Sequence, residues 1–195
     1  MIVNNFEGFG LNETLYRAVE KKKYKTPTPI QIQAIPEIMR GKDILGIAQT
    51  GTGKTAAFAL PILHKLLANR IDPPKRSARV IILAPTRELV WQITDSFKTY
   101  ADGTSLKIFA LMGGVAHKPQ IEKLIKGLDV LVATPGRLMD HISDNNFRPK
   151  DCEVLVLDEV DQMLDMGFIG SVRRLASKMT AHRQNLFFSA TMPKE

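Results

Sequence analysis

Six short apolar runs recur along the chain: Ile44–Ile47, Val80–Ala84, Ile108–Leu111, Val130–Ala133, Val154–Leu157 and Leu186–Phe188. None alternates polar with apolar residues, which predicts strands buried on both faces, as in a parallel sheet covered by helices. Stretches of helical character lie between them, at 56–68, 86–101, 118–127, 137–144 and 170–180. This alternation predicts an α/β fold, an open and mostly parallel sheet in three layers. Each strand run leads into a polar or small-residue cluster. In such sheets ligands sit beyond the carboxyl ends of the strands, so the pattern gathers distant residues on one rim.

Before residue 43 the pattern changes. Two helices are expected, Asn12 to Lys23 and Ile30 to Arg40, joined by Pro27-Thr28-Pro29. Thr28 is suited to cap the second, with Pro29 in its first turn. Residues 1–42 read as helices packed on the same domain as residues 43–195, with no inter-domain linker between. The loop with the strongest turn signals is Asn69 to Ser77, which contains Pro73-Pro74.

A chain of 195 residues suits one domain with a buried core. No apolar run approaches the roughly 18 residues of a membrane span, and Met1–Glu7 lacks the basic-then-apolar order of a secretory leader. Cys152 is the single cysteine, so no internal disulfide forms. These features predict a cytoplasmic protein with no membrane partner. The four histidines are scattered and suggest no zinc site. The net charge of +7 is uneven: residues 1–100 hold 15 Lys/Arg against 8 Asp/Glu, and the rest hold 12 of each. That balance permits a nucleic-acid partner.

The sharpest chemical signal is Ala48-Gln49-Thr50-Gly51-Thr52-Gly53-Lys54-Thr55, placed between a strand run and a helical stretch. Strand, glycine-rich turn and helix are what a phosphate-binding loop requires. Gly51 and Gly53 let backbone N–H groups turn inward, and the helix adds its positive end. Lys54 is placed to reach the outer phosphates and Thr55 to hold Mg²⁺. The plain alternative is a glycine turn, and Ala48 stands where such loops usually open with Gly. The second signal is Asp158-Glu159, two acids directly after a buried strand. Asp158 is suited to Mg²⁺ through its water shell, and Glu159 to the attacking water. The alternative is the acidic first turn of a helix.

Taken with Pro27-Thr28-Pro29-Ile30-Gln31, Pro85-Thr86-Arg87-Glu88-Leu89, Gly113-Gly114, Thr134-Pro135-Gly136-Arg137, Asp158–Asp161 and Ser189-Ala190-Thr191, the chain resembles the first RecA-like domain of a DEAD-box RNA helicase. The resemblance spans nearly the whole chain. It implies a RecA-like P-loop NTPase domain that binds ATP or ADP with Mg²⁺ and hydrolyses ATP to remodel RNA. Gln31 resembles the adenine-reading glutamine, with Phe6 and Tyr24 as neighbouring aromatics or, alternatively, as helix packing. Lys54, Asp158 and Glu159 take the catalytic places. Pro85, Thr86, Arg87, Gly113, Gly114, Thr134, Gly136 and Arg137 take the RNA places, as backbone contacts without sequence preference. Asp161, Ser189 and Thr191 link the hydrolysis site to the RNA-bound state.

The family's second RecA-like domain, with its arginine finger, has no counterpart here. The chain therefore reads as a monomeric fragment that ends near an inter-domain linker, binding nucleotide with little turnover. The other readings are a different phosphate-loop NTPase, such as a DNA translocase, or an interaction module without turnover. The chain departs from the family pattern in three places: Val160 for Ala, Lys23 for Gly, and Val90-Trp91 after Leu89, where a small residue is usual first. Trp91 is expected in the core, the alternative being contact with a partner.

Overall fold

The computed structural model describes residues 5–191. Residues 1–4, part of the stretch read for leader character, and residues 192–195, read as the approach to a linker, lie outside it. A short 3-10 turn at Phe6–Phe9 precedes α1 (Glu13–Lys21) and α2 (Pro29–Met39). There follow β1 (Ile44–Ile47), α3 (Lys54–Ala68), β2 (Ala78–Leu83), α4 (Arg87–Tyr100), β3 (Ile108–Leu111) and α5 (His117–Ile125). The rest comprises β4 (Leu128–Ala133), α6 (Pro135–Ser143), β5 (Val154–Leu157), α7 (Val160–Asp165), α8 (Ile169–Ser177) and β6 (Gln184–Ser189). The short α7 was not anticipated as a separate helix.

The six strands form one sheet in the order β1-β6-β5-β2-β4-β3, and every described pairing is parallel. Apart from β1, each non-alternating apolar run divides its side chains between two cores. Val80 and Ile82 enter one with Val130, Val156 and Phe188, under α1 to α4. Ile81 and Leu83 enter the other with Leu131 and Leu155, against residues of α5 to α8. This is the three-layer arrangement that unbroken apolar strands require.

The expectation of two buried faces fails at β1. It lies at the edge of the described sheet, where Leu45 and Ile47 are 59% and 47% exposed. No helix among the described residues covers that face. Trp91 also departs from expectation, being 56% exposed. The buried stripe of α4 is Val90, Ile93, Thr94, Phe97 and Tyr100. At 100° per residue, Trp91 falls outside that stripe.

The amino ends of the central strands carry a closed polar network. Arg79 of β2 is buried and donates to Glu153 at 2.6 and 3.3 Å and to the Asn69 carbonyl at 2.9 Å. Asp129 of β4 lies 4.0 Å away and accepts from the Lys107 N–H at 2.7 Å. At the carboxyl ends lie the polar clusters, and there two concavities open.

Candidate functional site: a glycine-loop cleft and a neighbouring groove

The first concavity is a cleft of about 650 Å³ at the end of β1 and β5. Its floor is the loop into α3. Gly51 and Gly53 have φ of +84° and +88°, the left-handed region that glycine adopts without cost from a Cβ. At Gly53 a Cβ would also meet the end of the Gln31 side chain, which would have to shift and give up its present contact with this loop. Thr52 closes the turn by donating its hydroxyl to the Gln49 carbonyl at 2.6 Å. Ala48 continues the sheet by donating its N–H to the Ser189 carbonyl at 3.0 Å. Thr50, Gly51, Gly53, Lys54 and Thr55 face the cleft; Ala48, Gln49 and Thr52 do not.

Lys54 opens α3 and is only 6% exposed, and its Nζ has no hydrogen-bond partner among the described residues. A buried, unsatisfied ammonium is costly unless a ligand completes it. Across the cleft stands Asp158, 2% exposed, whose Oδ1 accepts the Glu159 N–H at 3.0 Å. Burial pushes its carboxyl up to about 6, although the Lys54 charge pulls the other way and Glu159 adds to the rise. Glu159 is held at φ 55°, ψ 55°, a left-handed conformation unusual for a residue with a side chain. Such strain is typical of functional positions. Lysine, glycine N–H groups and two acids converging on one cleft fit a phosphate chain carrying a divalent cation. The described residues hold no group of three His, Cys, Asp or Glu side chains able to cage a metal alone. Thr55 and Asp158 are the cleft residues able to contribute oxygens to a Mg²⁺ ion that otherwise keeps water and phosphate ligands.

Gln31 links α2 to the loop. Its Oε1 accepts the Thr28 N–H at 3.0 Å and its Nε2 donates to the Gly53 carbonyl at 3.1 Å. Thr28 is the N-cap residue as expected, but its hydroxyl has no partner among the described residues. The bond that closes the turn is made by Gln31 instead. Each end of the Gln31 amide retains one further donor or acceptor. Phe6 is buried at 3% exposure and stacks on Tyr24, with ring centroids 6.4 Å apart. Tyr24 is 42% exposed, so it presents its ring while Phe6 backs it. The Lys23 departure has a local cost: its φ is +58°, a conformation natural to glycine. Val160 is accommodated by packing against the second core.

The sequence reading missed one wall of this cleft. Leu89, Gln92, Ser96 and Tyr100 line it from a single face of α4. Their spacing of three and four residues was the available signal.

The second concavity, about 630 Å³, lies on the other side of the α4 N-terminus. Pro85, Thr86, Arg87, Gly113, Thr134, Gly136 and Arg137 all line it, together with the unanticipated Glu88, Asp140, Met166 and Phe168, so two arginines share it with two acids. Thr86 caps α4 by accepting the Leu89 N–H at 3.2 Å. Thr134 and Pro135 start α6. Gly114 has φ +77°, and a Cβ there would collide with the Arg87 guanidinium. It supports Arg87 from beneath rather than lining the groove. Arg137 contacts His117 and donates to the Val115 carbonyl at 3.4 Å. Below this loop Gln120 donates to the Met112 carbonyl at 2.9 Å and pairs with His141 at 2.9 Å. His141 is fully buried, and burial holds its pKa below the usual value, with the nearby His117 and Arg137 acting in the same direction.

A further polar network, lining neither concavity, follows Glu159 in the chain. Asp161 Oδ2 accepts from the Thr191 N–H at 3.0 Å and its hydroxyl at 2.9 Å, while Ser189 donates to the Thr191 carbonyl at 2.7 Å. Burial alone would raise the Asp161 carboxyl, but the bonds from Thr191, Gln162 and Ser189 hold it below the usual range. The three residues expected to act as a link are thus in one network.

A doubly covered parallel sheet with a glycine-rich loop, an acid pair and an arginine-bearing groove on one rim has the form of a nucleotide-binding α/β domain. The DEAD/DEAH box helicase family model matches residues 28–195, and the chain belongs to that family. It is 41% identical over 191 residues to the ATP-dependent RNA helicase CshA of Listeria monocytogenes, covering 98% of this chain and 36% of that protein. It is 43% identical over 198 residues to the ATP-dependent RNA helicase SrmB of Haemophilus influenzae, covering 100% of this chain and 44% of that protein. The crystal structure of a DEAD box protein from the hyperthermophile Methanococcus jannaschii superposes with a TM-score of 0.89 at 36% identity. That match covers 98% of this chain and 51% of the other, and it shows the RecA-like fold. The chain spans less than half the length of these curated relatives.

Proposed function

We propose that this chain is the ATP-binding first domain of an ATP-dependent RNA helicase. The observation that carries the reading is the buried Lys54 ammonium, without a hydrogen-bond partner among the described residues, sharing the glycine-loop cleft with Asp158. In this reading Lys54 and the N–H groups of Gly51 to Thr55 receive the β- and γ-phosphates. Thr55 and Asp158 hold Mg²⁺, which supplies charge neutralisation on the phosphate oxygens when bound. Glu159 orients the attacking water and accepts its proton. Tyr24 covers the adenine, and the unused donor and acceptor of Gln31 meet its edge.

RNA occupies the second groove. Arg87, Thr86, Thr134 and Arg137 donate to phosphate oxygens, and Gly113 and Gly136 allow the strand close approach. The Asp161–Thr191–Ser189 network couples the two sites. A second RecA-like domain completes both and supplies the arginine finger, worth about 10³–10⁵ in rate in comparable enzymes. The present chain accordingly turns ATP over slowly, and its setting is the cytoplasm.

The test is competition against a fluorescent ADP analogue. ADP displaces it well, and GDP, whose base edge inverts the donor–acceptor pattern, displaces it at least several-fold less well. Equal displacement by GDP would reject the adenine role of Gln31, and no displacement by either would reject the nucleotide cleft.

A further inference from the structure

Trp91 is the largest side chain that the packing leaves outside. It is 56% exposed and lines neither concavity. It stands one helical turn beyond Arg87 on α4, so both side chains project from the same side of the helix. Arg87 lines the second groove and rests on Gly114. The opposite side of α4, with Leu89, Gln92 and Ser96, faces the nucleotide cleft. Trp91 therefore continues the groove, not the cleft. Further along the same side lies the exposed Lys98, while of the exposed acids Asp95 lies outward and Glu88 lines the groove beside Arg87. These acids disfavour a phosphate beside the ring. What Trp91 offers is a π-face, and single-stranded nucleic acid carries π-faces alongside its phosphates.

We propose that Trp91 is a stacking platform for an RNA base, extending the groove one turn past the phosphate contact at Arg87. This rests on the reading of that groove as the RNA site. The phosphate contacts are shared by any polyanion, whereas a stacked base adds affinity that requires the base itself. Trp91 thus lets this face distinguish a strand with bases from a bare backbone.

Trp91 is the single tryptophan of the chain, so tryptophan emission reports this position alone. The 195-residue chain is held with Mg²⁺ and a non-hydrolysable ATP analogue. It is titrated with a uridine decamer and with an abasic decamer of equal phosphate count. Affinity is read separately from the anisotropy of a labelled decamer. The proposal expects emission to be quenched by the uridine strand and not by the abasic one. Trp91→Ala should weaken uridine binding about five-fold or more, and Trp91→Phe, which keeps a π-face, should retain most of it. Uridine binding that is weakened by Arg87→Ala but unchanged by Trp91→Ala, with unaltered emission, would overturn the proposal. It would leave the RNA groove standing and this face open to a protein. No binding of any strand would overturn the groove reading and the proposal together.

Discussion

Two cations are buried at opposite ends of the same sheet, and they are treated differently. Arg79, at the amino ends, has its guanidinium engaged by Glu153 and the Asn69 carbonyl, with Asp129 beside it. Lys54, at the carboxyl ends, has an Nζ with no partner among the described residues. Near it stand Asp158, whose carboxyl resists ionisation, and Glu159 in a left-handed conformation. A completed network holds a fold together, and an incomplete one waits for a ligand. The difference separates stability from function within one sheet.

That contrast is open to measurement. The largest effect is expected at the satisfied end. Arg79→Ala leaves Asp129 and Glu153 without their counter-ion and should destabilise the chain by about 3–5 kcal/mol. Denaturant unfolding reads this directly, and a loss below about 1 kcal/mol would remove Arg79 from the structural side. Lys54→Ala should do the reverse. Adenine nucleotide affinity should fall by roughly 1.5–3 kcal/mol, about ten-fold or more, with no loss of unfolding free energy. A destabilised variant with normal affinity would invert the assignment.

The third effect depends on pH. The Asp158 carboxyl is raised from 3.8 to about 6, so between those values the folded chain holds a proton that the unfolded chain has released. Its contribution to stability therefore falls as pH rises through that window. Asp158→Asn keeps the acceptor for the Glu159 N–H but carries no charge to desolvate. The nucleotide-free variant should match the wild type below pH 4 and exceed it by about 1–3 kcal/mol at pH 7. A pH-independent difference would rule out burial of this charge as the cause. The smallest effect concerns Lys23. Lys23→Gly relieves a left-handed residue and should raise stability by up to about 1 kcal/mol, readable as a higher denaturant midpoint. A lowered midpoint would mean that the Lys23 side chain contributes more than its backbone costs.

Much of the molecule was legible in the chain. Apolar runs that do not alternate forced a doubly covered parallel sheet, because strands buried on both faces have no polar face to show. Gly51, Gly53, Lys54 and the acids after β5 announced their chemistry by residue type and order, since only certain residues turn a loop around phosphate. The tertiary structure alone decided the rest. It placed β1 at the described edge, leaving Leu45 and Ile47 exposed, because strand order is set by crossovers that no local pattern encodes. It tied Gln31 to the Gly53 carbonyl, a contact spanning 22 residues that no spacing rule foretells. It turned Trp91 outward, although its apolar character suggested the core. A helix buries the stripe its neighbours cover, and which stripe that is depends on where the sheet lies.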